Sequence, residues 1–386
     1  MYKNSLIYFD NAATTPLSPT ALSAMKPWLT SEYGNPSSLY SAGRKAKEAL
    51  ECARAMIART INAEPDEIFF TSGGTEADNW AIDMIGTHGD IITSGIEHHA
   101  ILNAAHNRLE RDVKALKLMT DRHGYIVPPN ESATRSLVLQ NKPVMCSFMF
   151  VNNEIGTVQD LRKLFKSFNG CGLIYHTDAV QAVGHIQVDV KKLGVDMLSM
   201  SAHKFNGPRG IGALYVRNGV PMYPMICGGG QERKMRAGTE NVAGAVGMAV
   251  ALDEAVRFMD ERMAHTDSLK HRFVDACTKN NIRFATTLDD PFSNNTGILS
   301  MRFPEVEAES LLLLLDSFGI CVSTGSACDS KSVNISHVLS AIGLSDTDAR
   351  STIRFSFGHQ NTFEEVDYAV DSLAKCIDMI RSVNTV

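Results

Sequence analysis

Lys204 ends a stretch that is apolar along most of its length, Asp196-Met-Leu-Ser-Met-Ser-Ala-His-Lys204, and the turn Gly207-Pro-Arg-Gly210 follows it. A lysine held between a buried strand and a turn is poorly solvated, which favours its neutral amine and suits it to forming a Schiff base. A second unit, Gly172-Leu-Ile-Tyr-His-Thr-Asp178, carries a carboxylate at the same kind of strand end. Pyridoxal phosphate requires these two groups, a lysine for its aldehyde and an aspartate to keep its pyridine nitrogen protonated. Either residue by itself reads better as a surface lysine or a capping aspartate. The pair, set in an alternating β/α pattern, carries the cofactor reading.

Phe70-Thr-Ser-Gly-Gly-Thr-Glu76 reads as strand end, glycine turn and helix start. The N–H groups of Gly74 and Thr75, with the Thr75 hydroxyl, form either an anion cradle or a plain turn whose capping box is Thr75 and Asp78. Neither a Walker A pattern nor GxGxxG is present, which turns the reading from a nucleotide to a smaller phosphate ligand. Gly95-Ile-Glu-His-His-Ala100 sets two histidines after another strand, without the HExxH spacing that zinc would need. His98 is open to stacking on a flat ring and moving protons. Asn153, in Val151-Asn-Asn-Glu-Ile-Gly156, and Gln181 add polar groups at strand ends, the edge where open α/β sheets bind ligands. The loop from Gly228 to Asn241 is basic and glycine-rich, fit for a phosphate or for a subunit contact. Val322-Ser-Thr-Gly-Ser-Ala-Cys328-Asp-Ser-Lys331 surrounds a thiol with small residues. With Lys331 favouring the thiolate, Cys328 is either a solvent-reachable nucleophile or a passive loop cysteine.

The elements that must position these groups show in the pattern of apolar runs. Residues 67–71, 90–93, 144–151, 173–177, 197–200 and 211–216 read as strands, with helices between them at 75–85 and 161–168. That alternation predicts an α/β fold with a mostly parallel sheet under covering helices. Residues 42–61 carry a helical apolar stripe, and helical periodicity returns over 243–259 and onward to 272. Beyond residue 281, strands at 297–302 and 353–356 mix with helices at 308–318 and 363–380, which predicts a smaller α+β domain. The expected division is a large cofactor-binding domain over 16–255 and a small domain made of 1–15 with 256–386, carrying the cysteine loop at 322–334.

At 386 residues, 44% hydrophobic and 21% charged, the chain has the size and balance of a soluble two-domain protein. A net charge of −6 gives no broad basic field for nucleic acid. The apolar stretch in residues 1–10 is too short for a signal peptide, and the longest apolar run, 311–315, is far short of a membrane span. The expected location is the cytoplasm, with no membrane partner. None of the eight cysteines forms a CxxC pair, so no metal site is expected, and a disulfide framework is not expected either.

The ordered motifs resemble those of a cysteine desulfurase of the iron–sulfur-assembly and nitrogen-fixation type, within the class V aminotransferase superfamily. They include Tyr8-Phe-Asp-Asn-Ala-Ala-Thr-Thr-Pro16, Tyr33-Gly-Asn-Pro-Ser-Ser38, Thr71-Ser-Gly-Gly-Thr-Glu76, His176-Thr-Asp-Ala-Val-Gln181 and Ser201-Ala-His-Lys204. Arg236-Ala-Gly-Thr239, Ser326-Ala-Cys328 and Ile353-Arg354-Phe-Ser continue the match nearly to the end. The resemblance implies fold-type I, with a mostly parallel seven-stranded sheet. It implies that Lys204 holds pyridoxal phosphate, Asp178 pairs with the ring nitrogen, Gln181 with the ring oxygen, and His98 stacks on the ring and transfers protons. Gly74, Thr75, Ser201 and His203 would bind the phosphate, joined by Thr239 of a neighbouring subunit in an obligate homodimer. Asn153 and Arg354 would hold the carboxylate of L-cysteine, with Asn11 near it. Cys328 would take the substrate sulfur as a persulfide, release alanine, and pass the sulfur to an acceptor protein such as an iron–sulfur scaffold. The alternatives on the same fold are selenocysteine lysis or another lyase or transaminase reaction with Cys328 incidental, and a catalytically silent structural partner. Three positions depart from the family pattern: Lys234 where glycine is common, Asp329 where threonine is frequent, and Phe357-Gly-His359 in place of Leu-Gly-Arg.

Overall fold

The computed structural model describes residues 6–84, 89–108, 114–129, 143–168, 173–292, 294, 296–325 and 335–384. Its strands in chain order begin with β1 (Ile7–Tyr8), β2 (Ile68–Thr71), β3 (Asp90–Ser94), β4 (Ala115–Leu118), β5 (Val144–Ser147) and β6 (Leu173–Asp178). They continue with β7 (Met197–Ser201), β8 (Gly212–Val216), β9 (Ala285–Thr286), β10 (Ile298–Arg302), β11 (Ile320–Cys321) and β12 (Thr352–Ser356).

Seven strands form the large sheet in the order β2-β8-β7-β6-β5-β3-β4. The pairs β7–β6, β6–β5, β5–β3 and β3–β4 are parallel, while β8 runs antiparallel to both its neighbours. For β7 and β8 the reason is local: only residues 202–211 link them, fewer than the dozen or more that a parallel crossover requires. Strands β2, β3, β5, β7 and β8 are buried at every position because both faces are covered. Phe70, Ile92, Cys146, Leu198 and Tyr215 face one cluster, and their neighbours Phe69, Ile91, Met145, Met197 and Leu214 face another.

Two expectations need correction. The strand expected over 144–151 ends at Ser147, because Met149 N leaves the ladder and donates to Glu97 Oε2 at 2.8 Å. The edge strand β4 escaped the sequence reading because its run Ala-Leu-Lys-Leu is partly exposed and carries a lysine.

A second layer of structure forms around β10, which pairs antiparallel with β12 and β9. Its apolar cluster joins Phe273, Phe303, Phe355 and Leu373 to Ile7 and Phe9 from the other end of the sequence. β1 pairs parallel with β11, so residues 7–8 are held among residues of the last third of the chain.

Candidate active site

The carboxyl edge of the large sheet opens on a cavity of about 270 Å³. β6 delivers Asp178 as its last residue, with Gln181 just beyond it, and β7 delivers Ser201. The 3-10 turn Ala202–Lys204 brings His203 and Lys204 to the wall, and the helix Gly74–Asp83 starts there with Gly74 and Thr75. His98, Asn153 and Arg354 complete the set, so these ten residues, scattered over 280 positions between Gly74 and Arg354, share one cavity.

The lysine is docked on main chain. Lys204 Nζ donates to Ala12 O (2.6 Å) and Ala13 O (3.0 Å), and Gln181 Nε2 donates to the same Ala12 carbonyl (2.7 Å). Asp178 is buried and accepts from Val180 N at 2.9 Å. Burial raises its carboxyl, and the charges of His98 and Lys204 oppose that rise. Burial lowers His98, against the pull of Asp178. Its Nδ1 accepts from Ala100 N (3.1 Å), which leaves Nε2 as the nitrogen that exchanges a proton. His203 is lowered to about 4 by burial and then by Lys204 and Arg209, so it is a neutral donor or acceptor at pH 7. Arg354, on β12, donates to Asn153 O (2.8 Å) and to Asp10 Oδ1 (2.6 Å), while its buried Nε has no partner.

Four further readings of the sequence have other outcomes. Asn11 does not line this cavity: its amide is spent on Tyr8 O (3.1 Å) and Ser356 O (2.9 Å), and its neighbours Ala12 and Ala13 line the cavity instead. Thr239 lines a separate cavity of about 80 Å³ with Glu232, Arg236 and Gly238. Thr75 and Asp78 form no capping box; the cap is Gly73, and Ser72 N donates to Glu76 Oε2 (2.9 Å). Cys328, with Asp329, Lys331 and most of the expected cysteine loop, lies outside the described residues; Gly325, three positions before it, lines the cavity. Gly325 has φ +84°, and a Cβ there would stand 2.7 Å from Glu154 Oε2. Sequence reasoning missed Asp78 as a lining residue. It also missed the tie between Glu76 and Arg236 (2.9 and 3.2 Å), which joins the basic loop to the helix start.

The model of the aminotransferase class-V family matches residues 7–369. A cysteine desulfurase IscS of Dictyoglomus turgidum is 44% identical over 385 residues, covering 98% of this chain and 96% of the relative. The chain belongs to the cysteine desulfurases of the class-V aminotransferase family. A solved NifS-like protein superposes with a TM-score of 0.89 at 34% identity, covering 97% of this chain and all of that one. A structure described as SspA in complex with cysteine matches with a TM-score of 0.77 at 32% identity, over 92% of this chain and 100% of that one.

Members of this family use pyridoxal phosphate, and the residues present fit it. A primary amine and a buried carboxylate share one cavity. The helix start approaches so closely that a Cβ on Gly74 would lie 2.6 Å from Val180 Cγ2, which keeps its backbone N–H groups open to an anion. The unpartnered buried Nε of Arg354 and Oδ1 of Asp78 are polar atoms of the kind a polar ligand satisfies.

Proposed function

We propose that the chain is a pyridoxal-phosphate-dependent cysteine desulfurase that converts L-cysteine to L-alanine and retains the sulfur as a persulfide on Cys328. The observation that carries this reading is the meeting of Lys204, Asp178, His98 and Arg354 on one cavity. When bound, the cofactor supplies an electron sink for the α-carbon of the substrate. Lys204 holds it covalently, Asp178 takes the ring nitrogen, Gln181 the ring oxygen, and Gly74, Thr75, Ser201 and His203 the phosphate. Arg354 and Asn153 orient the substrate carboxylate, and His98 moves protons to and from the carbon atoms of the substrate. The sulfur step balances without a further reagent: L-cysteine and the Cys328 thiol give L-alanine and a Cys328 persulfide. An S–S bond forms, the substrate C–S bond breaks with its electron pair kept by carbon, and a proton replaces the sulfur there.

The same reading makes the protein a cytoplasmic homodimer in which Thr239 of one subunit reaches the phosphate site of the other, and it hands the persulfide sulfur to an acceptor protein such as an iron–sulfur scaffold. Thr239 standing outside the Lys204 cavity of its own chain supports the dimer. Among the described residues no helix is long and apolar enough to cross a membrane. The test is alanine release from L-cysteine with a thiol reductant, for the wild type and for Cys328→Ser. Alanine from the wild type alone is expected; equal release from both would move the reading to a lyase or transaminase.

A further inference from the structure

Glu154 stands where distant parts of the chain meet. It follows Asn153, is 5% exposed, and its Oε2 accepts from Ser336 Oγ at 2.5 Å. The same oxygen lies against Gly325, where a Cβ would stand 2.7 Å from Oε2 and 3.3 Å from Cδ. In the sequence, Gly325 precedes Cys328 by three residues and Ser336 follows it by eight. One buried carboxyl group therefore meets the chain on both sides of the thiol.

Both sides are fastened outward from there. Ser323 exchanges two backbone hydrogen bonds with Arg354 (3.1 and 2.7 Å), and Gly325 N donates to Ser323 Oγ (3.2 Å). Ser336 also caps the helix His337–Ala341 by accepting from Leu339 N (3.2 Å), and His337 Nε2 donates to Glu97 O (2.8 Å). Glu154 is itself held, because Asn152 Oδ1 accepts from Glu154 N (2.9 Å) and Ile155 N (3.0 Å). Asn152 Nδ2 in turn donates to Ile96 O (3.0 Å). The two turns that carry His98 and Asn153 thus receive both flanks of the thiol. Glu154 is not among the described residues that line the cavity, so it acts from behind the wall. A segment fixed at both ends presents its groups to a neighbouring site at a higher effective concentration than one with a loose end.

We propose that Glu154 is a positioning residue for Cys328: it fastens Gly325 and Ser336 to the turn that carries Asn153, and so speeds sulfur uptake without binding cofactor or substrate. This rests on the proposed desulfurase reaction. The experiment compares holoenzymes of wild type, Glu154→Ala, Glu154→Gln, Ser336→Ala and the double Ala variant. It reads single-turnover persulfide formation on Cys328 and, in a Cys328→Ser background, affinity for L-cysteine from the cofactor's absorbance. Glu154→Ala should slow persulfide formation about tenfold at unchanged affinity. Glu154→Gln keeps an acceptor for Ser336 and should restore the rate. Ser336→Ala should be as slow as Glu154→Ala, and the double variant no slower, because all three break one contact. A Glu154→Ala enzyme at the wild-type rate would overturn the proposal. So would a Gln variant as slow as Ala, a double variant slowed about a hundredfold, or an affinity that falls as much as the rate. Should Glu154→Ala not fold, Ser336→Ala and Glu154→Gln decide. A wild-type enzyme that forms no persulfide on Cys328 would instead sink the reading on which this rests.

Discussion

His98 owes its chemistry to an arrangement of single atoms. Its Nδ1 is fixed by Ala100 N at 3.1 Å, and burial keeps the ring neutral and able to cycle a proton. His98→Ala should therefore lower the rate of alanine formation by about two to four orders of magnitude while Lys204 still holds the cofactor. Single-turnover alanine formation beside the cofactor absorbance measures both, and a variant at full rate would remove His98 from proton transfer. Lys204 and Asp178 are legible in the sequence only as a pair: each alone reads as a surface lysine or a capping aspartate, and it is their joint placement at strand ends of a β/α alternation that points to the cofactor. The carbonyls of Ala12 and Ala13 are not legible, since a main-chain acceptor leaves no mark on residue type. Asp78 was read as a cap, because an acidic residue in a first helical turn ordinarily is one.

At the scale of elements, the basic loop is bent by three consecutive non-glycine residues in left-handed backbone: Glu232 at φ 43°, Arg233 at 58° and Lys234 at 69°. Each such residue costs about 1–2 kcal/mol. Two of the three offset this with contacts. Glu232 is buried against Arg54 (2.7 and 2.9 Å) and accepts from Phe70 N (2.9 Å). Arg233 lies 3.9 Å over the Phe69 ring and donates to Ile68 O (2.7 Å). Lys234 is exposed. Its φ explains why glycine is common there, a departure visible in the sequence whose physical reason required the backbone. Lys234→Gly should raise stability by up to about 1 kcal/mol, read as a higher urea midpoint at unchanged slope. An unchanged or lower midpoint would mean that Lys234 contributes a contact of its own. Strand positions were readable wherever burial on both faces made a run apolar, and failed at β4, where an edge position relaxes that demand.

For the whole molecule, we propose the division into residues 16–255 and 1–15 with 256–386. Ala21 and Leu252 pack in the cluster under the large sheet, whereas Ile7, Phe9 and Leu269 pack around β10. The proposed dimer makes a separable prediction. Lys204→Ala and Thr239→Ala proteins, each impaired alone, should regain activity when mixed under conditions that exchange subunits. A mixed dimer has one site with both residues intact. Absence of any recovery, with exchange verified by tagged subunits, would place Thr239 in its own chain's site or in none. The dimer is expected only through resemblance, since nothing in the run Arg236-Ala-Gly-Thr239 distinguishes a contact within a chain from one between chains.

Phe9 and Asn11 are fastened to β12: Ser356 N donates to Phe9 O (2.7 Å), and Asn11 Nδ2 donates to Ser356 O (2.9 Å) across 345 positions of sequence. The two residues that follow Asn11 are the ones whose carbonyls dock the Lys204 amine. During translation, then, the stretch that secures the reactive lysine waits for its anchor until β12, 345 positions later, has been made. The seven strands of the large sheet are all made before that moment, so the sheet can assemble first and the docking of the lysine follows the arrival of β12.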